Sequence, residues 1–351
     1  MAERPTLERV QGCLLGGAIG DAMGANLEFL RGAELRARLQ AGMIADYTPG
    51  QFPAGEFTDD TQMTLFTAEG IIRYVQCLRV QGSCDLLIVL DGAYRRWLVT
   101  QWETPDHPLD GQLESGYLVH EPLLHARRAP GMTCLSSLED GTRGLGEAAV
   151  NDQKGCGTVM RSAPFGVLPS IEEAIDAAMG AARLTHGHPT GAIAAGAFAA
   201  IIHSLLRGAS MEEAVGRGIA EVGGVEGADE TISALAQATA FASQSTAPPS
   251  AISQLGRGWI AEEALAIAVY SALSSSSPGD ALSRAVGHDG DSDSTGAICG
   301  NMIGAAAGRA SLPRLLAERL IGRDLVLTVA HDLYTVVVED APADPARYPG
   351  I

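Results

Sequence analysis

The chain has 351 residues, 46% of them hydrophobic, with 42 Asp and Glu against 24 Lys and Arg, a formal net charge of −18. So large an apolar fraction builds a real core and excludes a disordered chain, while the acid excess repels a phosphate backbone and argues against general nucleic-acid binding. No basic flank leads into an apolar run at the N-terminus, and the six cysteines (Cys13, Cys77, Cys84, Cys134, Cys156, Cys299) form no C-x-x-C pair. The expectation is a cytoplasmic protein with reduced thiols and no membrane partner.

Forty-two glycines make about 12% of the chain against an average near 7%. They lie beside alanine in segments such as 16–20, 191–196 and 304–308. Strand signals are weak, and small residues on helix faces let axes approach closely, so the pattern predicts one tightly packed all-α domain over residues 1–351. In chain order the predicted helices are Leu7–Ala22, Thr61–Gln81 and Asp85–Trp102. Two capping boxes follow: Ser170-Ile-Glu-Glu173 opens a helix to about Leu184, and Ser210-Met-Glu-Glu213 one to about Val222. Between them Pro189 stands as a first-turn proline for a helix to about Gly208. Residues 189–206 are uncharged and long, but rich in Ala and Gly with His203 and Ser204 near one end, which predicts a buried core helix rather than a membrane span. Further helices are predicted at Asp229–Ser243, Glu262–Ser275, Thr295–Gly308, Leu312–Ile321 and Asp324–Val338. Two stretches lack periodicity, Glu103 to about Asn151 and Ser243 to about Gln254; the second, with Pro248-Pro249, reads as a surface loop.

Carboxylates at helix starts carry the chemical signal. Thr58-Asp59-Asp60-Thr61 precedes a predicted helix, where ordinary capping is the better account of it taken alone. Asp289, Asp291 and Asp293 place three carboxylates in five residues before another. Capping needs only one of them, and a hard divalent cation is the natural neutraliser of the rest. A calcium loop counted from Asp289 fails, because Ser294 stands where glycine is expected and Gly300 where a bidentate Glu is needed. The Gly155-Cys156-Gly157 turn offers backbone amides to phosphate oxygens. His186 and His188 lack the further ligands of a zinc site, so a hydrogen-bonding role fits better.

Taken together, Gly20-Asp21-Ala-Met-Gly24 with Glu28-Phe29, Thr58-Asp59-Asp60-Thr61, Gly155-Cys-Gly157 with Met160-Arg161, Thr185-His186-x-His188-Pro189, Gly258-Trp259 with Glu262-Glu263, and Gly290-Asp291-Ser-Asp293-Ser294 stand in the order found in ADP-ribosylglycohydrolases. The chain resembles that family from about residue 7 to about residue 340. The resemblance implies a compact all-α orthogonal bundle with two divalent cations, Mg2+ or Mn2+, held by Thr58, Asp59, Asp60, Asp291, Asp293 and Ser294, with Glu28 beside them. It implies that Asn151, the Gly155–Gly157 turn and His186 hold ADP-ribose, with Trp259 or its backbone near the nucleotide. Two departures stand out: Ser294 where the family usually has threonine, which keeps the hydroxyl, and Cys156 in place of a frequent asparagine. Glu28, Asp59 and Asp60 are the candidate proton carriers. Ligated carboxylates make poor bases, which favours Glu28.

The implied activity is a metal-dependent hydrolase, expected as a monomer, acting on ADP-ribosylated protein or a small-molecule conjugate, with ADP-ribose as product. The N-glycosidic link to arginine is the first choice. O-linked ADP-ribose on serine, O-acetyl-ADP-ribose or a nucleobase adduct is the alternative, as is a non-catalytic binding or immunity protein.

Overall fold

A computed structural model describes residues 3–30, 32–40, 42, 44–101, 115–140 and 142–349. Within them the α-helices are α1 Leu7–Gly24, α2 Gly32–Gln40, α3 Asp59–Gln81, α4 Leu86–Thr100, α5 Met132–Glu139, α6 Ile171–Arg183, α7 Pro189–Leu206 and α8 Met211–Val222. They continue as α9 Asp229–Ser243, α10 Pro248–Leu255, α11 Ala261–Ser274, α12 Pro278–Val286, α13 Ser292–Ala307, α14 Arg314–Arg319 and α15 Arg323–Val337. The described residues hold no strand, only an isolated bridge between Gly155 and Ile260.

Glycine spacing decides the central contact. In α1 the glycines at 12, 16, 20 and 24 recur every four residues and so line one face. That face lies against Gly304, Gly300, Gly296 and Ser292 of α13, running the other way. A Cβ on Gly20 would fall 1.9 Å from the Gly296 carbonyl oxygen, and one on Gly300 would fall 2.0 Å from that of Gly16. Backbone touches backbone at all four glycines of α1. Asn301 spans the same seam, its Nδ2 donating to the Cys13 carbonyl at 2.8 Å. The consequence is positional: the C-terminal end of α1 is held against the N-terminal end of α13.

Both predicted capping boxes form, with Ser170 accepting from the Glu173 amide, Ser210 from the Glu213 amide, and each glutamate returning to its serine N–H. The apolar α7 is a core helix, with Ala192 through Ile202 wholly or almost wholly buried. Several expectations need correction. Pro248 and Pro249 open α10 rather than marking a loop, because the first helical turn needs no N–H donor. Helix α12, capped by Ser277 over the Asp280 amide, and α2 lie in stretches where no helix is predicted. Pro313 delays α14 to Arg314. Cys77 and Cys84 form a disulfide between the last turn of α3 and the start of α4, so not all six thiols are free; the other four are. The predicted helix end at Trp102 and the opening of the aperiodic stretch at Glu103 lie outside the described residues.

Candidate active site

A helix N-terminus presents unpaired amides, and a carboxylate brought against them fixes the helix in place. Asp21, in the last turn of α1, does this for α3. Its Oδ1 accepts from Thr58 N at 2.8 Å and Thr58 Oγ1 at 2.9 Å; its Oδ2 accepts from Thr61 N at 2.9 Å and Thr61 Oγ1 at 2.5 Å. Thr58 is the N-cap of α3, and its Oγ1 also lies 3.2 Å from Asp293 Oδ2. The one hydroxyl proton serves one carboxylate at a time. Sequence reasoning assigned Asp21 no role. The available signal was a single acid among the small and apolar residues between Glu8 and Glu28.

Glu28 sits in the turn after α1. Asn26 holds that turn, donating to the Thr48 and Phe52 carbonyls at 2.8 and 2.9 Å and accepting from Phe52 N at 2.8 Å. Helix α13 starts three residues before the predicted Thr295, which puts Asp293 and Ser294 in its first turn with Asp291 at the N-cap. One oxygen each from Glu28, Asp291 and Asp293 lies within 4.8 Å of the others. The third acid of the 289–293 cluster leaves the group: Asp289 faces solvent and pairs with Arg257 at 2.8 Å.

These side chains share one cleft of about 200 Å³ with Asp59, Asp60, Ser294, Gly155, Cys156, Gly157, His186 and Trp259. Thr58 lies beneath it, fully buried. Desolvation is the first consequence of gathering acids here. Burial, then the Asp293 charge, holds the carboxyls of Asp59, Asp60 and Asp291 well above the usual range. The same causes push Glu28 up to about 11. Asp21 rises to about 7 through burial and Asp293, against hydrogen bonds from Thr61 and Thr58 that pull it down. Asp60 Oδ2 is buried with no hydrogen-bond partner among the described residues. A buried acceptor left open among repelling carboxylates, beside the Ser294 hydroxyl, fits a hard divalent cation.

The opposite wall is built on glycine. Cys156 N donates to the Trp259 carbonyl at 3.2 Å and Ala261 N to the Lys154 carbonyl at 2.9 Å, tying the turn to the start of α11. One amide of the expected phosphate cradle is therefore already used. The turn needs no positive φ: Gly155 has φ −61°, and Gly157 is not among the left-handed residues. What favours glycine is tight packing, since a Cβ on Gly157 would stand 3.0 Å from Cys134 Sγ and 3.2 Å from His186 Cε1. Gly157→Val is accordingly expected to displace His186 and weaken ADP-ribose binding about tenfold or more, read by calorimetry on a variant with unchanged circular dichroism. Asn151 is not among the residues lining the cleft. Its amide donates to the Thr185 carbonyl at 3.0 Å and to Ser137 Oγ, and accepts from Gly187 N at 2.9 Å, so it braces the loop that carries His186.

A sequence model described as ADP-ribosylglycohydrolase matches residues 2–342. The chain belongs to the ADP-ribosylglycohydrolase family. It is 27% identical over 342 residues to an uncharacterised protein of Archaeoglobus fulgidus, covering 93% of this chain and 96% of that one. It is 22% identical to the ADP-ribosylarginine hydrolase Tri1 of Serratia proteamaculans, covering 96% of this chain and 82% of the relative. Its identity to the protein of that name from Pseudomonas putida is 25%, covering 93% and 78%. A solved structure described as an ADP-ribosylglycohydrolase-related protein complex shares the fold, with a TM-score of 0.66 at 22% identity over 94% of this chain and 98% of that one. Family membership makes this chain a hydrolase. In this ADP-ribosylglycohydrolase Cys156 touches the acid cluster directly: its thiol donates to Asp291 Oδ2 at 2.7 Å. Burial and the Asp291 charge keep that thiol protonated. A larger, mostly apolar groove of about 590 Å³ lies between α3, α4, α6 and α15, and holds none of the residues nominated from the motifs.

Proposed function

We propose that this ADP-ribosylglycohydrolase uses two divalent cations, Mg2+ or Mn2+, and releases ADP-ribose from the N-glycosidic link to arginine on modified protein. The observation that carries the reading is the convergence of Glu28, Asp59, Asp60, Asp291 and Asp293 on one small cleft, with an acceptor of Asp60 left open. Asp59, Asp60, Asp291, Asp293 and Ser294 would hold the cations, with Thr58 beneath them. When bound, such ions supply Lewis-acid polarisation and neutralise the cluster.

The rest of the chemistry belongs to the chain. Hydrolysis breaks the bond from the anomeric carbon to the guanidine nitrogen and forms one to a water oxygen, through an oxocarbenium-like state. Water loses a proton and the departing guanidine gains one. Glu28, at the cleft edge and 9% exposed, is the carboxyl placed to carry that proton from one to the other. His186 and the Gly155–Gly157 turn form the wall that receives the diphosphate. Trp259, 41% exposed, offers an aromatic plate at the mouth. Support for arginine comes from the two relatives named ADP-ribosylarginine hydrolase, and from Glu28, a carboxyl beside the cluster that can hold the proton a departing guanidine needs.

The test is a competition between an ADP-ribosyl-arginine peptide and an ADP-ribosyl-serine peptide at equal concentration. Initial release from arginine is expected to be at least about tenfold faster, a transition-state difference near 1.4 kcal/mol. Faster release from serine, or release only from an acetyl or nucleobase adduct, refutes the linkage.

A further inference from the structure

A buried guanidinium is costly unless something compensates its charge. Arg161 is 0% exposed, and none of its described contacts is a carboxylate. Its Nη1 reaches Cys134 Sγ at 3.4 Å and Met63 Sδ at 3.7 Å, and its guanidinium carbon lies 4.5 Å from the centre of the Tyr94 ring. Its Nη2 donates to the Ala181 carbonyl at 3.1 Å and to Thr185 Oγ1 at 2.7 Å. From there the chain continues, for Thr185 Oγ1 is 2.8 Å from His186 Nδ1. Cys134 and His186 both line the cleft. The cation therefore stands one residue behind the wall described above, linked to it by two short hydrogen bonds.

The direction of those bonds follows from proton counting. Thr185 has one hydroxyl proton and already accepts from Arg161. If His186 Nδ1 carried a proton, two donors would converge on one oxygen beside a positive charge. The hydroxyl proton would then be left to the Ala182 carbonyl, 3.4 Å away. If Nδ1 is bare, the hydroxyl donates to it at 2.8 Å, a shorter bond than the one to Ala182. Burial and the Arg161 charge also depress the imidazole's second protonation, to about 3. The ring is then neutral with its proton on Nε2, the atom that lies by the Gly155–Gly157 turn, 3.1 Å from where a Gly155 Cβ would stand.

We propose that Arg161 and Thr185 are positioning residues that lock His186 in the Nε2–H tautomer, presenting a fixed donor to a diphosphate oxygen of ADP-ribose. The ligand half rests on the reading under Proposed function; the relay half does not.

Long-range 1H–15N correlation spectra of the His-labelled protein read the tautomer without ligand, and calorimetry reads ADP-ribose affinity. In the wild type, His186 is expected to show a bare Nδ1 and a protonated Nε2 at neutral pH. Thr185→Val, close in shape but without the hydroxyl, is expected to average the two tautomers and raise the Kd about tenfold. Thr185→Ser is expected to restore both, which separates the relay from a packing defect. A protonated Nδ1 in the wild type, or an unchanged tautomer or Kd in folded Thr185→Val, overturns the proposal. A wild-type protein with the expected tautomer that fails to bind ADP-ribose overturns the ligand and leaves the relay standing.

Discussion

Asp291→Asn is expected to lower ADP-ribose release more than about 100-fold, beyond the usual effect of losing a residue that merely supports a metal ligand, while raising the melting temperature of the metal-free protein. Asparagine keeps an oxygen for the Cys156 thiol, which now donates to Asp291 Oδ2 at 2.7 Å, so the local geometry survives and the charge does not. The pH dependence has a definite sign. The carboxyls here are raised above their ordinary values in the folded chain, so the native state binds more protons than the unfolded one and stability falls as pH rises. In chelator the cluster's own contribution to stability is expected to be greatest below the ordinary carboxylate range. That contribution is lost as pH rises from the ordinary carboxylate range, the Asp21 share being gone once pH passes about 7, and the Glu28 share continues to fall towards its still higher value. Added Mg2+ should therefore raise the melting temperature more at pH 8 than at pH 5, and Asp291→Asn should flatten the slope seen in chelator. Thermal scans at both pH values, with and without Mg2+, check this. Full wild-type activity in excess chelator after verified metal removal would refute the metal requirement.

Gly20→Ala is expected to cost about 3 kcal/mol or more, the upper part of the range for forcing atoms into a packed contact. The added methyl would lie 1.9 Å from the Gly296 carbonyl oxygen and 2.3 Å from its carbon. Those are backbone atoms, so a helix must move rather than a side chain. Gly216→Ala is the control. That glycine is exposed within α8, and a methyl added there would meet nothing within 4 Å, so the same substitution should stabilise by roughly 0.5–1 kcal/mol. Urea denaturation midpoints read both, and equal effects at the two sites would refute the close-contact account of α1 and α13. The damage at Gly20 should reach the cleft as well, because Asp21 follows in sequence and Asp291 and Asp293 stand at the facing end of α13.

The features legible in the chain are those whose partners lie a few residues apart. Ser170 and Glu173, or Ser210 and Glu213, satisfy each other across three residues, so the residue types alone are enough to predict the helix start. Dense acids at 59–60 and 289–293 likewise announce a need for neutralisation wherever the chain places them. Which acids turn inward is another matter. Asp289 and Asp291 differ by two positions, yet one pairs with Arg257 at the surface and the other lines the cleft. Asn151 has the chemistry of a ligand-binding amide, but its oxygen is engaged by the Gly187 amide 36 positions away. Asp21 became intelligible only against Thr58 and Thr61, 37 and 40 positions on. The glycines of α1 and α13 signal close packing from their spacing, but their pairing depends on a seam joining residues nearly 300 apart, such as Asn301 and Cys13. Short-range hydrogen bonds are encoded by neighbours in the chain, whereas the site depends on two helix ends brought together by backbone contact across almost its whole length.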